Sequence, residues 1–118
     1  MLFAADSLFA RLRASCQPEW DAYTRHIFVK QLGSGTLPEA SFRRYLVQDY
    51  LFLIHFARAY ALAAYKSRNL ADIREASKGL SAIADTEMSM HVQFCADWGI
   101  SEAEIGAEPE AQETMAYT

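Results

Sequence analysis

Little in this chain would support a disulfide scaffold, a basic binding face or a β-sheet. It has 2 cysteines in 118 residues, Cys16 and Cys95, far apart and in no CxxC pair. That excludes a disulfide framework and fits a reducing, cytoplasmic setting. No Lys/Arg run appears, and the net charge is -4. Direct nucleic-acid binding is therefore not expected. The opening residues MLFAA are too short for a signal peptide and lack a basic start. No internal repeat, low-complexity tract or β-type alternation is visible. With 52% hydrophobic and 22% charged residues, the chain can still build a packed core. Its length bounds it to a single domain, residues 1–118.

The chain centres on residues 45–65, YLVQDYLFLIHFARAYALAAY. Of these 21 residues 17 are apolar or aromatic; the exceptions are Gln48, Asp49, His55 and Arg58. No glycine or proline interrupts the run, so it predicts one long, almost wholly buried helix. Two formal charges and two further polar groups argue against a membrane span. Asp49 is the informative residue. A carboxylate among large apolar side chains finds a partner, shifts its pKa or faces a cavity. The helical repeat places Tyr45, Asp49, Phe52 and Phe56 on one stripe. This is an acid on an aromatic wall, suited to a flat hydrogen-bonding ligand. The bland alternative is a structural acid paired with Arg58 or an N-terminal arginine.

Around this run, Asp6 or Ser7 caps a first helix that Pro18 kinks or breaks. His26 to Leu32 forms a short apolar piece ended by Gly33-Ser34-Gly35. Thr36 and Glu39 have capping-box spacing for the central helix, which continues to about Ser67. Asn69 caps a third helix from Leu70 to about Trp98, with Gly99 as its stop. Its apolar spacing selects Ile73, Ala76, Leu80, Ile83, Ala84, Met90, Phe94 and Trp98 as the inner face. Ser101 and Glu104 repeat the capping-box pattern, and a last helix begins near Gln112. The fold class is all-α: three long helices and the start of a fourth.

The motifs are specific in their order. Trp20-Asp21-Ala22-Tyr23-Thr24-Arg25-His26, Leu32-Gly33-Ser34-Gly35-Thr36-Leu37-Pro38 and Gln48-Asp49-Tyr50-Leu51-Phe52-Leu53 are followed by Phe56-Ala57-Arg58, Glu87-Met88-Ser89-Met90-His91, Trp98-Gly99-Ile100 and Ala116-Tyr117-Thr118. Together they resemble the TenA/THI-4 family. The resemblance implies a haem-oxygenase-like helical bundle of about twice this length, so the chain looks like an N-terminal half, incomplete at its C-terminus. It also implies a homotetramer and a thiaminase II (aminopyrimidine aminohydrolase) activity in thiamin salvage. In the implied mechanism a cysteine thiolate adds to the pyrimidine ring, the leaving group departs, water adds and the thiolate is expelled.

Carried over residue by residue, Asp49 is the ring-binding aspartate. Phe52 stands where many members have a tyrosine, and Tyr117 matches a pocket tyrosine. The implied nucleophilic cysteine and C-terminal glutamate lie beyond Thr118, so no catalytic residue is expected here. Without them the chain alone should not hydrolyse a pyrimidine. No cofactor is implied. The alternative function is a non-catalytic pyrimidine-binding or indirect regulatory protein.

Other candidates have blander readings. Cys16 and Cys95 are expected to be small buried hydrophobes, on faces away from the Asp49 stripe. His55 reads as an ordinary helix histidine. Glu87 and His91, one turn apart, are a weak metal pair with no second acid at bundle-ligand spacing, so no metal site is expected.

Overall fold

The computed structural model describes residues 4–117, and among them there are helices and turns but no strand. The chain divides into two compact units, one ending at Pro38 and the other starting at Glu39.

The first unit holds three eight-residue helices, α1 (Leu8–Ser15), α2 (Gln17–Thr24) and α3 (Ile27–Ser34). Ser7 caps α1 by accepting from the Ala10 N–H. Pro18 breaks the helix rather than kinking it, because α2 restarts at Gln17 with the proline in its first turn. Cys16 sits at this break and is exposed, contrary to the expectation of burial. Its thiol donates to the Leu12 carbonyl at 3.3 Å, so it serves the helix end instead of a core. Phe9 meets Trp20 edge-on with centroids 5.7 Å apart, and Arg13 lies 5.0 Å over the same indole. Thr36 also departs from expectation. Its N–H donates to the Gln31 carbonyl and its hydroxyl pairs with Ser34 at 2.8 Å, so it closes α3.

The second unit is built on α4 (Glu39–Lys66), 28 residues long and thus about 42 Å. It is followed by α5 (Leu70–Ser81), a π-helical segment (Ala82–Glu87), α6 (Met88–Asp97), α7 (Glu102–Ala107) and α8 (Gln112–Tyr117). Several expected boundaries hold. The Asn69 side chain accepts from the Asp72 N–H and starts α5. Gly99, at φ 72°, ends α6 in the left-handed conformation that glycine adopts without strain. Ser101 and Glu104 form a reciprocal capping box on α7.

The third helix is not regular. The Met88 N–H donates to the Ile83 carbonyl, five residues back, so one extra residue is accommodated in that turn. Inward positions run Ile73, Ala76, Leu80 and Ile83, then jump five residues to Met88, His91, Val92, Cys95 and Trp98. Ala84, Met90 and Phe94, expected inside, face solvent. An uninterrupted α-helical period fails here because the π turn rotates the following face by one residue.

The core of this unit gathers Leu46, Cys95, Ile100 and Ile105, flanked by Phe42, Val47, Tyr50 and Trp98. Burial of α4 is less complete than expected. Within residues 45–65 only Leu46, Leu51 and Leu53 are buried. Tyr45, Ile54, Phe56, Leu62 and Tyr65 are exposed. The following elements cover part of the circumference of α4 and leave the remainder open. Among the described residues no helix is long and apolar enough to cross a membrane.

Candidate functional site

The four polar residues of the central run are all engaged, and three of them bind segments far along the chain. Gln48 donates to the Pro109 carbonyl at 3.1 Å, and its carbonyl accepts from the Ala111 N–H and the Thr114 hydroxyl at 2.8 and 2.7 Å. It therefore caps α8 from outside. His55 meets the Glu110 carboxylate at 2.7 Å through Nε2, while Arg58 donates to His55 Nδ1 at 3.2 Å. His55 is more than an isolated helix histidine: it joins α4 to the segment before α8. These roles of Gln48 and His55 were not assigned from sequence. The visible signal was only that they interrupt an apolar run.

Asp49 does not pair with Arg58, which is engaged by His55 instead. Its carboxylate oxygen Oδ2 lies 3.4 Å from Nδ1 of His91 on α6. The other ring nitrogen, Nε2, donates to the Leu46 carbonyl at 2.7 Å, since a carbonyl oxygen can only accept. Leu46 is almost one turn before Asp49, so His91 is fixed against the same face of α4. Partial burial is the main cause that pushes the Asp49 carboxyl above the usual carboxylate range. The His91 charge draws it back down, and Glu87 raises it further.

Cys95, one turn beyond His91, is fully buried. The burial expected of it holds, but its expected separation from the Asp49 stripe does not. Burial raises its thiol pKa first, and the Asp49 charge adds to the effect. Such a thiol is held neutral and shielded, unlike an activated nucleophile. The π turn is why this proximity was not legible in the helical repeat.

Phe52 lies one turn from Asp49 and stacks on Phe56, with centroids 5.6 Å apart and planes at 25°. Phe56 in turn meets Tyr60 at 5.2 Å. The aromatic wall thus runs along α4 from beside the acid. Tyr117 ends α8, but its side chain lies outside the described residues. Glu87 and His91 do not form a metal pair, because both ring nitrogens of His91 are directed to α4 groups. Among the described residues no cluster of three or more His, Cys, Asp or Glu side chains could hold a metal ion.

The site can therefore offer a partly desolvated carboxyl, an adjacent imidazole and a flat aromatic surface. A carboxylate accepts from an exocyclic amine, and a protonated carboxyl donates to a ring nitrogen.

Comparison with known proteins places this geometry in context. The model of the TENA/THI-4/PQQC family matches residues 13–118. An uncharacterised protein of Haemophilus influenzae is 42% identical over 111 residues, covering 94% of this chain and 51% of that protein. An aminopyrimidine aminohydrolase of Halalkalibacterium halodurans is 38% identical over 112 residues, covering 95% and 50%. The crystal structure of a TenA family transcription regulator from Silicibacter sp. TM1040 superposes with a TM-score of 0.90 at 43% identity, covering 94% of this chain and 49% of that one. The chain spans about half the length of the curated relatives it matches.

Proposed function

The chain belongs to the TENA/THI-4/PQQC family, and from that premise we propose that it forms the pyrimidine-binding half of a thiamin-salvage hydrolase of the aminopyrimidine aminohydrolase type. The observation that carries this reading is Asp49, a raised carboxyl set beside His91 and one turn from the Phe52–Phe56 stack. Asp49 holds the amino edge of the ring and Phe52 packs on its face, while Tyr117 is assigned to the same pocket by the family resemblance alone. The relative named aminopyrimidine aminohydrolase supports that choice of ligand. The covalent step belongs to a cysteine outside these residues. Cys95 is unsuited to it, being buried and neutral. Alone, the chain binds the pyrimidine without turning it over. In the complete assembly, the exposed apolar residues of α4 are covered within a homo-oligomer, a tetramer by resemblance.

A second reading has one specific support. A close structural neighbour is called a transcription regulator, which fits a non-catalytic pyrimidine sensor acting indirectly. Both readings share the ring-binding role of Asp49.

That role is tested by calorimetric titration of an aminomethyl-aminopyrimidine into the chain and its Asp49→Asn variant. Loss of one charge-assisted hydrogen bond is worth about 1.5–3 kcal/mol, or roughly one to two powers of ten in affinity. Equal affinity in the two proteins would remove Asp49 from the site.

A further inference from the structure

We propose that His91 is a positioning residue for Asp49, anchored on the Leu46 carbonyl so that it holds the carboxyl where an aminopyrimidine edge can engage it. The inference rests on the ring-binding reading of Asp49. It adds a second residue, on a different helix, that sets the place at which Asp49 meets its ligand.

Three observations converge. First, His91 is anchored from the far side of its ring. The bond from Nε2 to the Leu46 carbonyl, at 2.7 Å, fixes that nitrogen as the donor. In the neutral ring, Nδ1 is then the free acceptor, and it is the nitrogen that faces Asp49 at 3.4 Å. Second, the ring is largely enclosed, with a side-chain exposure of 11% against 27% for Asp49. The Tyr50 ring lies 6.4 Å away on α4. Third, the π turn immediately precedes α6 and shifts its inward face by one residue. With that shift, Met88, His91 and Cys95 turn towards α4, and without it the inward set would be the one containing Met90 and Phe94. A π turn is a rare element that is frequently found at functional sites.

The other titratable groups near the pair are Glu87 and Cys95 on the π segment and α6, and Tyr50 on α4. Glu87 raises the Asp49 carboxyl by its charge, burial raises the Cys95 thiol, and Tyr50 is engaged by Glu102.

The test uses His91→Gln, whose terminal amide can still donate to the Leu46 carbonyl but cannot take a proton. The Asp49 carboxyl is titrated by carbon-detected NMR in the ligand-free chain and the variant. The expected result is a midpoint moved to higher pH in the variant, because the cation that lowers it is gone. Affinity for an aminomethyl-aminopyrimidine at neutral pH should fall about tenfold. An Asp49 midpoint that does not move in His91→Gln, or an affinity equal to that of the unsubstituted chain, overturns the inference. The two failures are separable. If Asp49→Asn binds as well as the parent, the ring-binding reading fails. If Asp49→Asn loses affinity while the Asp49 midpoint ignores His91→Gln, only the role of His91 fails.

Discussion

A carboxyl partly hidden among aromatic rings is held more comfortably with its proton than without it. For Asp49 the largest cause is burial, and the result is a folded-state pKa above its unfolded value. The sign of the linkage follows. The folded chain binds this proton more tightly, so the contribution of Asp49 to stability is greatest at low pH and is lost as pH rises through its folded pKa. Above that range the folded state carries a partly desolvated charge that His91 only partly compensates. Asp49→Asn should therefore melt at a higher temperature than the parent at pH 7, with the gap closing as both are acidified to about pH 4, near the ordinary carboxylate range. Thermal melts followed by circular dichroism at the two pH values check this. A lower melting temperature for the variant at pH 7 would show that the His91 contact outweighs burial. The same substitution is expected to weaken pyrimidine binding, the pattern of a residue kept for a ligand at some expense of stability.

At the scale of the element, α4 and α5 approach so closely at Gly79 that a Cβ there would overlap the Tyr60 ring. In an open helix Gly→Ala gains about 1 kcal/mol. Here overpacking costs about 1–3 kcal/mol, so Gly79→Ala is expected to lower the melting temperature despite its better propensity. A rise would mean that Tyr60 swings aside freely. What could be read in the chain beforehand divides along the same line. Caps and stops are local chemistry, so the Asn69 cap, the Ser101–Glu104 box and the Gly99 stop were all legible. Asp49 and Phe52 stood out because one is an acid in an apolar run and both lie on one stripe. The π turn was not legible, because it is selected by packing on α4 and leaves no local signature. The error then spread past it: Met90 and Phe94 were placed inside and Cys95 away from Asp49, while Trp98 packs on the core as expected. The clamps made by Gln48 and His55 were hidden for a related reason: their partners lie 55 to 66 residues away.

For the molecule as a whole, the exposed apolar surface is the dominant feature. Ile54, Phe56, Leu62 and Tyr65 on α4 are exposed at 40%, 37%, 52% and 85%, and Leu70 at the start of α5 at 58%. Contiguous exposed apolar surface drives association unless other protein covers it. The 13.3 kDa chain should therefore sediment with a mass that grows with concentration. A monomer throughout the micromolar range would count against this. The Gln48 amide bears on a different matter, the order in which the chain acquires its structure. The first turn of α8 takes part of its hydrogen bonding from outside the helix. Its ordering groups come from Gln48 across 63 and 66 residues of chain. Closing so long a loop carries an entropy penalty that only an already formed α4 can repay. The first turn of α8 is thus a late arrival on the folding route, and it loosens readily when the native state opens locally.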